Sequence, residues 1–345
     1  MILMEKNTKK RLSIWQIAFL LLLIVCSVWI IKDNKENLIP RESRGKIFGT
    51  YYLMKYESKE VLDSLIVEEL LKVDNSLSMF NKQSTVSRIN NNETDSVDSY
   101  FANVFNLAHD ISVSTGGAFD VTVAPLVNAW GFGFKNADSI SSSQIDSIKN
   151  FVGYDKVRID DAILIKNDVR VMMDFSAIAK GYGVDAVARL FDRKGIKNYM
   201  VEIGGEVVVK GKNSKQKPWT IGIVKPNENE NETQQTQTLI RATDVAMATS
   251  GNYRRFYYKD GKRYAHTIDS YTGYPVEHSL LSATVLAKNC ATADAYATAF
   301  MVMGVEKSKA FLDEHPELSA YFIYSGDKGE LLTWASSKME RYLKK

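Results

Sequence analysis

Asp294 and Thr298 stand four residues apart in the run CATADAYATAFMVM, from Cys290 to Met303. On a helix that spacing puts a carboxylate and a hydroxyl on one face. Alanine at 291, 293, 295, 297 and 299 would let a neighbouring backbone or a ligand come close. Two oxygens aimed at one point suit a hard cation. They equally suit a buried helix on which Thr298 bonds back to its own backbone and Asp294 caps a neighbour. A second candidate is His266, three residues before Asp269 and close to Thr272-Gly273. Of the four histidines in the chain it is the best placed for proton transfer, the alternative being a core histidine hydrogen-bonded to Asp269. A third lies in DFSAIAKG, where Asp174, Ser176 and two alanines lead to Lys180-Gly181 and a helix start. Free N–H groups at a helix N-terminus and an adjacent ammonium both favour phosphate, although the spacing of a Walker loop is absent. A lone lysine there can also simply be solvated.

Two further stretches could line a ligand. Ser78, Met79 and Phe80 fall in SLSMFNKQSTVSRIN, a segment of turn formers in which a thioether and an aromatic ring sit beside hydroxyls. Such a loop either covers a flat ring or tucks its tip into the core. In TGGAFDVTVAPLVNAWGFGF, two glycines permit close backbone approach, and Asp120 and Thr122 alternate with apolar neighbours as on a half-buried strand. Asp120 is then either the polar anchor of a pocket wall or a turn carboxylate satisfied by its own loop.

The elements that must position these residues follow from periodicity. A strand is expected over Ile47 to Tyr56, then a helix capped by Ser58 and ending near Asp74, and a second helix over Tyr100 to Ser114. Helical spacing returns before Phe151, and Val157 to Phe175 alternates as a hairpin or meander with its turn at Asn167-Asp168. The helix after Lys180 closes at Gly195. Strands are expected at Tyr199 to Ile203, Glu206 to Val209 and Trp219 to Val224, with the polar run Lys225 to Thr238 as an insert. Tyr253 to Tyr258 reads as a strand turning at Asp260-Gly261. One helix, Val305 to Glu314, and two strands, Ala320 to Tyr324 and Leu331 to Trp334, close the fold.

At 345 residues, 45% hydrophobic and 25% charged, the chain is ordinary globular material with an addition at the front. Its net charge of +3 comes from the first 31 residues, where Lys6, Lys9, Lys10 and Arg11 face Glu5 alone. The remainder sums to zero, so no nucleic-acid surface is expected. Behind the basic segment 1–13, residues Ile14 to Ile31 form an apolar run of 18 interrupted by Gln16 and Ser27. That length spans a bilayer, and the flanking charges put the N-terminus in the cytoplasm. The expected organisation is an anchor over 14–31, a polar linker over 32–46 and one domain over 47–345 outside the cytoplasm. A cleaved signal lacks a small-x-small site after the run, and a lipoprotein signal at Cys26 lacks the small residue before it. Cys26 and Cys290 are the only cysteines, so the domain is held by its core and not by disulfides.

Taken together, GAFDVTVAPLVNAWGFG, DFSAIAKGYGVDAVA, YMVEIGGEV, ATSGNYRRFYYKDGKRYAHTID, TGYPV and ATADAYATAF, in this order, resemble the ApbE family of bacterial FAD:protein FMN transferases. The resemblance implies an α+β fold: a single large domain of mixed, mainly antiparallel sheets with packed helices, here preceded by the N-terminal membrane anchor. It implies cleavage of FAD at its pyrophosphate, departure of AMP, and attachment of FMN through its phosphate to a Thr or Ser hydroxyl of a partner. Such partners are exported flavoprotein subunits of redox complexes at the inner membrane, which places the catalytic domain on the periplasmic side. It also implies Mg²⁺ on Asp294, Thr298 and the carbonyl of Ala177. FAD contacts would fall at Phe48, Ser78, Met79, Phe80, Asp120, Lys180, His266 and Ile268, and His266 with Asp269 would take the proton of the acceptor hydroxyl. Three positions depart from the family pattern: Phe48 replaces a Met, Ala124 a common Gly, and Asp269-Ser270 an Asp-Pro. Phe48 can still stack on a ring. The alternatives carried forward are an FAD pyrophosphatase, in which water replaces the acceptor, and a non-catalytic FAD-binding protein.

Overall fold

The computed structural model describes residues 13–36, 38–133, 140–226, 235–252, 256–259 and 262–343; the side chains of 30–36, 256–259 and 262–265 lie outside that description. Helix α1 (Ile14–Glu36) precedes a hairpin of β1 (Ile39–Ile47) and β2 (Thr50–Ser58). Helices α2 (Asp63–Leu77), α3 (Thr85–Asn90), α4 (Ser99–Ser114), α5 (Ala124–Ala129) and α6 (Ser142–Lys149) follow, then a short hairpin of β3 (Val157–Asp160) and β4 (Ile163–Lys166). Helix α7 (Ala179–Arg193) leads into β5 (Tyr199–Ile203), β6 (Glu206–Lys210), β7 (Trp219–Val224), β8 (Thr236–Ala242) and β9 (Val245–Gly251). The chain closes with β10 (Phe256–Lys259), β11 (Lys262–Ala265), β12 (Leu280–Ala287), α8 (Cys290–Glu314), β13 (Ser319–Ser325) and β14 (Leu331–Ala335).

Eight strands build one sheet in the order β1-β2-β5-β6-β9-β12-β13-β14, with every described pairing antiparallel. The period of two along its strands sorts side chains between two cores. Val201 and Ile203, Ala246 and Ala248, Ala283 and Val285, and Ala320 and Phe322 face the helices, while Met200, Met247, Leu286, Tyr321 and Ile323 face the β7–β8 ribbon and Met339. The helix side carries α2, α4, α7 and α8. Alanines on β9, β12 and β13 meet the alanines of α8, so that helix lies close on the sheet. This is the expected α+β domain with its mainly antiparallel sheet.

Several local expectations are corrected. Residues 39–46, assigned to the linker 32–46, form edge strand β1 together with Ile47, and only Ser43 in it is buried; the strand expected over Ile47 to Tyr56 turns at Phe48-Gly49 and resumes as β2. An edge strand needs no apolar face, so its composition reads as a linker. The first helix begins at Asp63 and not at Ser58, whose hydroxyl instead accepts from the Glu60 amide. The hairpin after Val157 turns at Asp161-Ala162, both with positive φ, and not at Asn167-Asp168. Met173 then finds a substitute strand partner: Asn90 donates to its carbonyl and accepts from its amide. Residues 118–123 form no strand, because the Asp120 side chain takes the Thr122 amide that a ladder would need. By contrast, the two helices expected before and after residue 304 are both present, the run Cys290–Glu314 being broken at Gly304, with φ 75 and ψ 178.

Helix α1 spans the expected anchor 14–31 and runs on to Glu36, into the expected linker; its described apolar side chains, Ile14 to Trp29, are exposed. Among the described residues no helix is long and apolar enough to cross a membrane; the side chains of residues 30 and 31 of the expected span lie outside them. Residues 1–12 of the basic segment 1–13, most of the polar insert (227–234) and the Asp260-Gly261 turn also lie outside the described residues.

Candidate active site

The site is built where α7 begins against the N-terminal turns of α8. Phe175 is buried and its carbonyl accepts from the amides of Ile178 and Ala179, a tight turn that hands the chain to α7. The Gly181 amide does not turn back to the Ala177 carbonyl four residues earlier. It donates to Asp294 Oδ2 at 3.0 Å. Gly181 is required for this approach, since a Cβ there would lie 2.5 Å from the Cys290 carbonyl oxygen. One turn further along α7, Asp185 accepts from the amides of Cys290 and Ala291 at 2.8 and 2.9 Å, and Asn289 caps Thr292. The α8 N-terminus is therefore held by a carboxylate from α7, an arrangement favoured by the helix dipole. Burial pushes the Asp185 carboxyl up to about 6 against the pull of those two amides.

Around Asp294, which is 2% exposed, charge is concentrated. Lys180 Nζ donates to Glu206 Oε1 at 2.5 Å and stands 3.9 Å from Asp294 Oδ1. Burial pulls the Lys180 ammonium down, but Asp294 and Glu206 more than offset it, so it stays protonated across the physiological range. Burial raises the Glu206 carboxyl while Lys180 opposes the rise. Thr298, one helical turn past Asp294, shares a 3.0 Å hydrogen bond with Ser250 at the end of β9. The donors expected for Mg²⁺ fit a hard cation on two counts: Asp294 Oδ1 accepts from no amide in the site, and the Ala177 carbonyl is not taken by Gly181. Beside them, though not among those donors, Glu206 Oε2 is buried without a partner among the described residues. Among the described residues no group of three His, Cys, Asp or Glu side chains could hold a metal. A set of one carboxylate, one hydroxyl and one carbonyl is of a different kind, and leaves room for phosphate oxygens.

The other candidates surround this point unevenly. Phe48 occupies the β1–β2 turn with φ 51, and its ring lies over Gly183 of α7, where a Cβ would be 2.6 Å away. Met79 packs on the main core while Phe80 is 77% exposed. Their loop is held by Ser84 and Ser87 hydroxyls donating to the Ser78 carbonyl. Asp120 is engaged by the protein itself: Oδ1 accepts from the Thr122 amide and hydroxyl at 2.7 Å, and Oδ2 from the Tyr154 amide at 3.0 Å. It shapes the 120–154 junction, and burial raises its carboxyl.

His266 opens a loop fastened on both sides. Thr267 donates to Asn252 at 2.6 Å, buried Ile268 bridges to Pro275, and Trp130 Nε1 donates to the Gly273 carbonyl at 2.8 Å. The His266 and Phe132 rings are 6.5 Å apart. The Asp269 carboxylate accepts from the amides of Tyr271 and Thr272, which gives it a loop-closing role. Glu206, Asp185 and Ser250 were not singled out from the sequence. The one signal for Glu206 was a charge inside an apolar strand directly after Gly204-Gly205.

The antiparallel sheet with helices packed on one side defines an α+β domain, and comparison with known proteins places the chain in a family. It belongs to the ApbE family, which it matches over residues 48–322. The FAD:protein FMN transferase of Vibrio cholerae serotype O1 is 37% identical over 312 residues, covering 87% of this chain and 92% of that protein. That of Haemophilus influenzae is 37% identical over 314 residues, covering 86% and 90%. Among solved structures, the flavin transferase ApbE from Vibrio cholerae superposes with a TM-score of 0.78 at 36% identity, covering 89% of this chain and all of that one. The apo form of the Pseudomonas stutzeri flavinyl transferase ApbE gives 0.78 at 30% identity, covering 88% and 97%.

Proposed function

We propose that this protein is an FAD:protein FMN transferase: it moves FMN from FAD to a Thr or Ser hydroxyl of a partner protein and releases AMP. The observation that carries the reading is the joint placement of Lys180, Asp294 and Thr298 where α7 meets α8, in a chain whose relatives bear that activity in their names. Mg²⁺ on Asp294, Thr298 and the Ala177 carbonyl would supply charge neutralisation at the pyrophosphate.

The chain's own groups then have defined tasks. Lys180 orients the phosphates, since the amides of Ile178, Ala179 and Gly181 at the start of α7 are already engaged within the protein. Phe48, at the mouth of α7, offers a ring face to the isoalloxazine, and the Ser78–Phe80 loop covers it. His266 takes the proton of the acceptor hydroxyl as the oxygen attacks phosphorus, and the 267–276 loop keeps its backbone fixed for that step. A pyrophosphatase would differ only in letting water reach the phosphorus. The apolar run 14–31 behind a basic segment is what speaks for anchoring to the inner membrane, with the domain on the periplasmic side beside exported flavoprotein subunits.

The test is to incubate the full chain in detergent with FAD, Mg²⁺ and an exported flavoprotein subunit. AMP release would be followed together with flavin fluorescence on a denaturing gel. A fluorescent acceptor band that chelator abolishes is the expected result. AMP without a band at any acceptor would refute transfer in favour of hydrolysis, and neither signal would refute both.

A further inference from the structure

Glu206 has no role in the reaction as set out above. It opens β6 directly after the Gly204-Gly205 turn, is 3% exposed, and engages one oxygen only: Oε1 accepts from Lys180, while Oε2 has no partner among the described residues. A buried carboxylate oxygen without a donor is unfavourable for the fold, so its retention calls for an account outside stability.

Charge supplies that account. Lys180 is the cation that a pyrophosphate would meet at the start of α7, but Glu206 is in contact with it and Asp294 stands 3.9 Å away. One ammonium between two buried carboxylates leaves a single net negative charge. Such a site attracts a divalent cation and repels phosphate; with the cation in place the sign reverses. Were Glu206 absent, Lys180 would be free to hold the pyrophosphate in a metal-free complex that has no means of reacting.

We propose that Glu206 is a positioning residue that makes binding of the flavin dinucleotide conditional on the divalent cation, by holding the Lys180 ammonium and cancelling its charge. This rests on the flavin reading for its dinucleotide arm; its metal arm stands apart.

The experiment uses the full chain in detergent at pH 8. MgCl₂ alone is titrated by calorimetry, and FAD is titrated by fluorescence in the presence of EDTA. Glu206→Gln, nearly equal in shape, should bind Mg²⁺ about tenfold more weakly and FAD without metal about tenfold more tightly, the scale of one nearby charge at partial burial. The opposite signs separate this from a structural role, which would weaken both. Both affinities falling together, or neither changing, overturns the proposal. If Glu206→Gln shows no cooperative melt, Lys180→Met carries the test with the signs exchanged: Mg²⁺ tighter, metal-free FAD weaker. Unchanged or weaker Mg²⁺ binding in that variant overturns the proposal. Wild-type protein that binds no FAD with or without Mg²⁺ would instead refute the flavin reading, an outcome visible before any variant is made.

Discussion

Gly181→Ala is the substitution on which the α7–α8 junction can be judged most directly. By helix propensity alone, alanine in place of a helical glycine gains about 1 kcal/mol. The new Cβ, however, would stand 2.5 Å from the Cys290 carbonyl oxygen, 2.7 Å from its carbon and 2.8 Å from Ala291 Cα. All three are backbone atoms of a buried helix start, so no side chain can rotate away. Restoring ordinary contact requires α7 and α8 to part by about 1 Å, a gap that already forfeits much of the dispersion attraction along the seam. Overpacking of this kind costs about 1–3 kcal/mol, and the lost seam contacts add to it. After the propensity gain, a net loss of about 2 kcal/mol is expected, or a fall in Tm of a few degrees for a domain of this size. The same displacement would carry the Gly181 amide out of reach of Asp294 Oδ2, now 3.0 Å away, and so loosen the carboxylate proposed to hold Mg²⁺. Thermal unfolding by circular dichroism in EDTA, repeated with Mg²⁺, should show a lower Tm and a smaller Mg²⁺-induced rise. Gly183→Ala is the internal control. Its Cβ meets the Phe48 ring at 2.6 Å, a side chain that can swing, so the Tm loss should be smaller while FAD affinity falls. A Gly181→Ala protein with unchanged or raised Tm would refute the close-approach argument.

Three further outcomes are expected. Asp294→Ala should abolish transfer and leave FAD binding indifferent to Mg²⁺ in a fluorescence titration; retained Mg²⁺ dependence would remove Asp294 from the metal site. His266→Ala should keep FAD affinity and slow AMP release with acceptor present, and loss of affinity instead would make His266 a ligand contact. For Asp185, the folded carboxyl titrates near 6 against an ordinary 3.8. The native state therefore binds the extra proton, and stability falls as pH rises from about 4 to about 6, by at most about 3 kcal/mol. Asp185→Asn should flatten that part of the Tm against pH curve in EDTA, and an unaltered slope would show that another group is responsible.

Much of the frame is legible in the sequence. Strands 199–203 and 219–224 fall where periodicity put them, because each is long enough for its alternation to show. Helix α4 is similar, with Asp98 as its cap. The failures have a common cause. β1 is polar because it lies at an edge, and residues 118–123 alternate without pairing because Asp120 supplies locally the bonds that a neighbouring strand would have supplied. Hydrophobic pattern reports burial, and neither case was decided by burial.

The sequence by itself determined the chemistry available: a carboxylate and a hydroxyl one helical turn apart, a lysine at a helix start, one well-placed histidine, and motifs ordered as in the ApbE family. Those are properties of short segments, and local spacing suffices to express them. Only the tertiary structure decided which groups share a site. Lys180, Glu206 and Asp294 are remote from one another in the chain, and they meet because Gly181 lets α7 seat on α8 while the Gly204-Gly205 turn brings β6 beneath both. It also engaged Asp120 with Thr122 and the Tyr154 amide, and Asp269 with the amides of its own turn. A carboxylate takes whichever donors folding brings within about 3 Å, and that distance is not written in any local pattern.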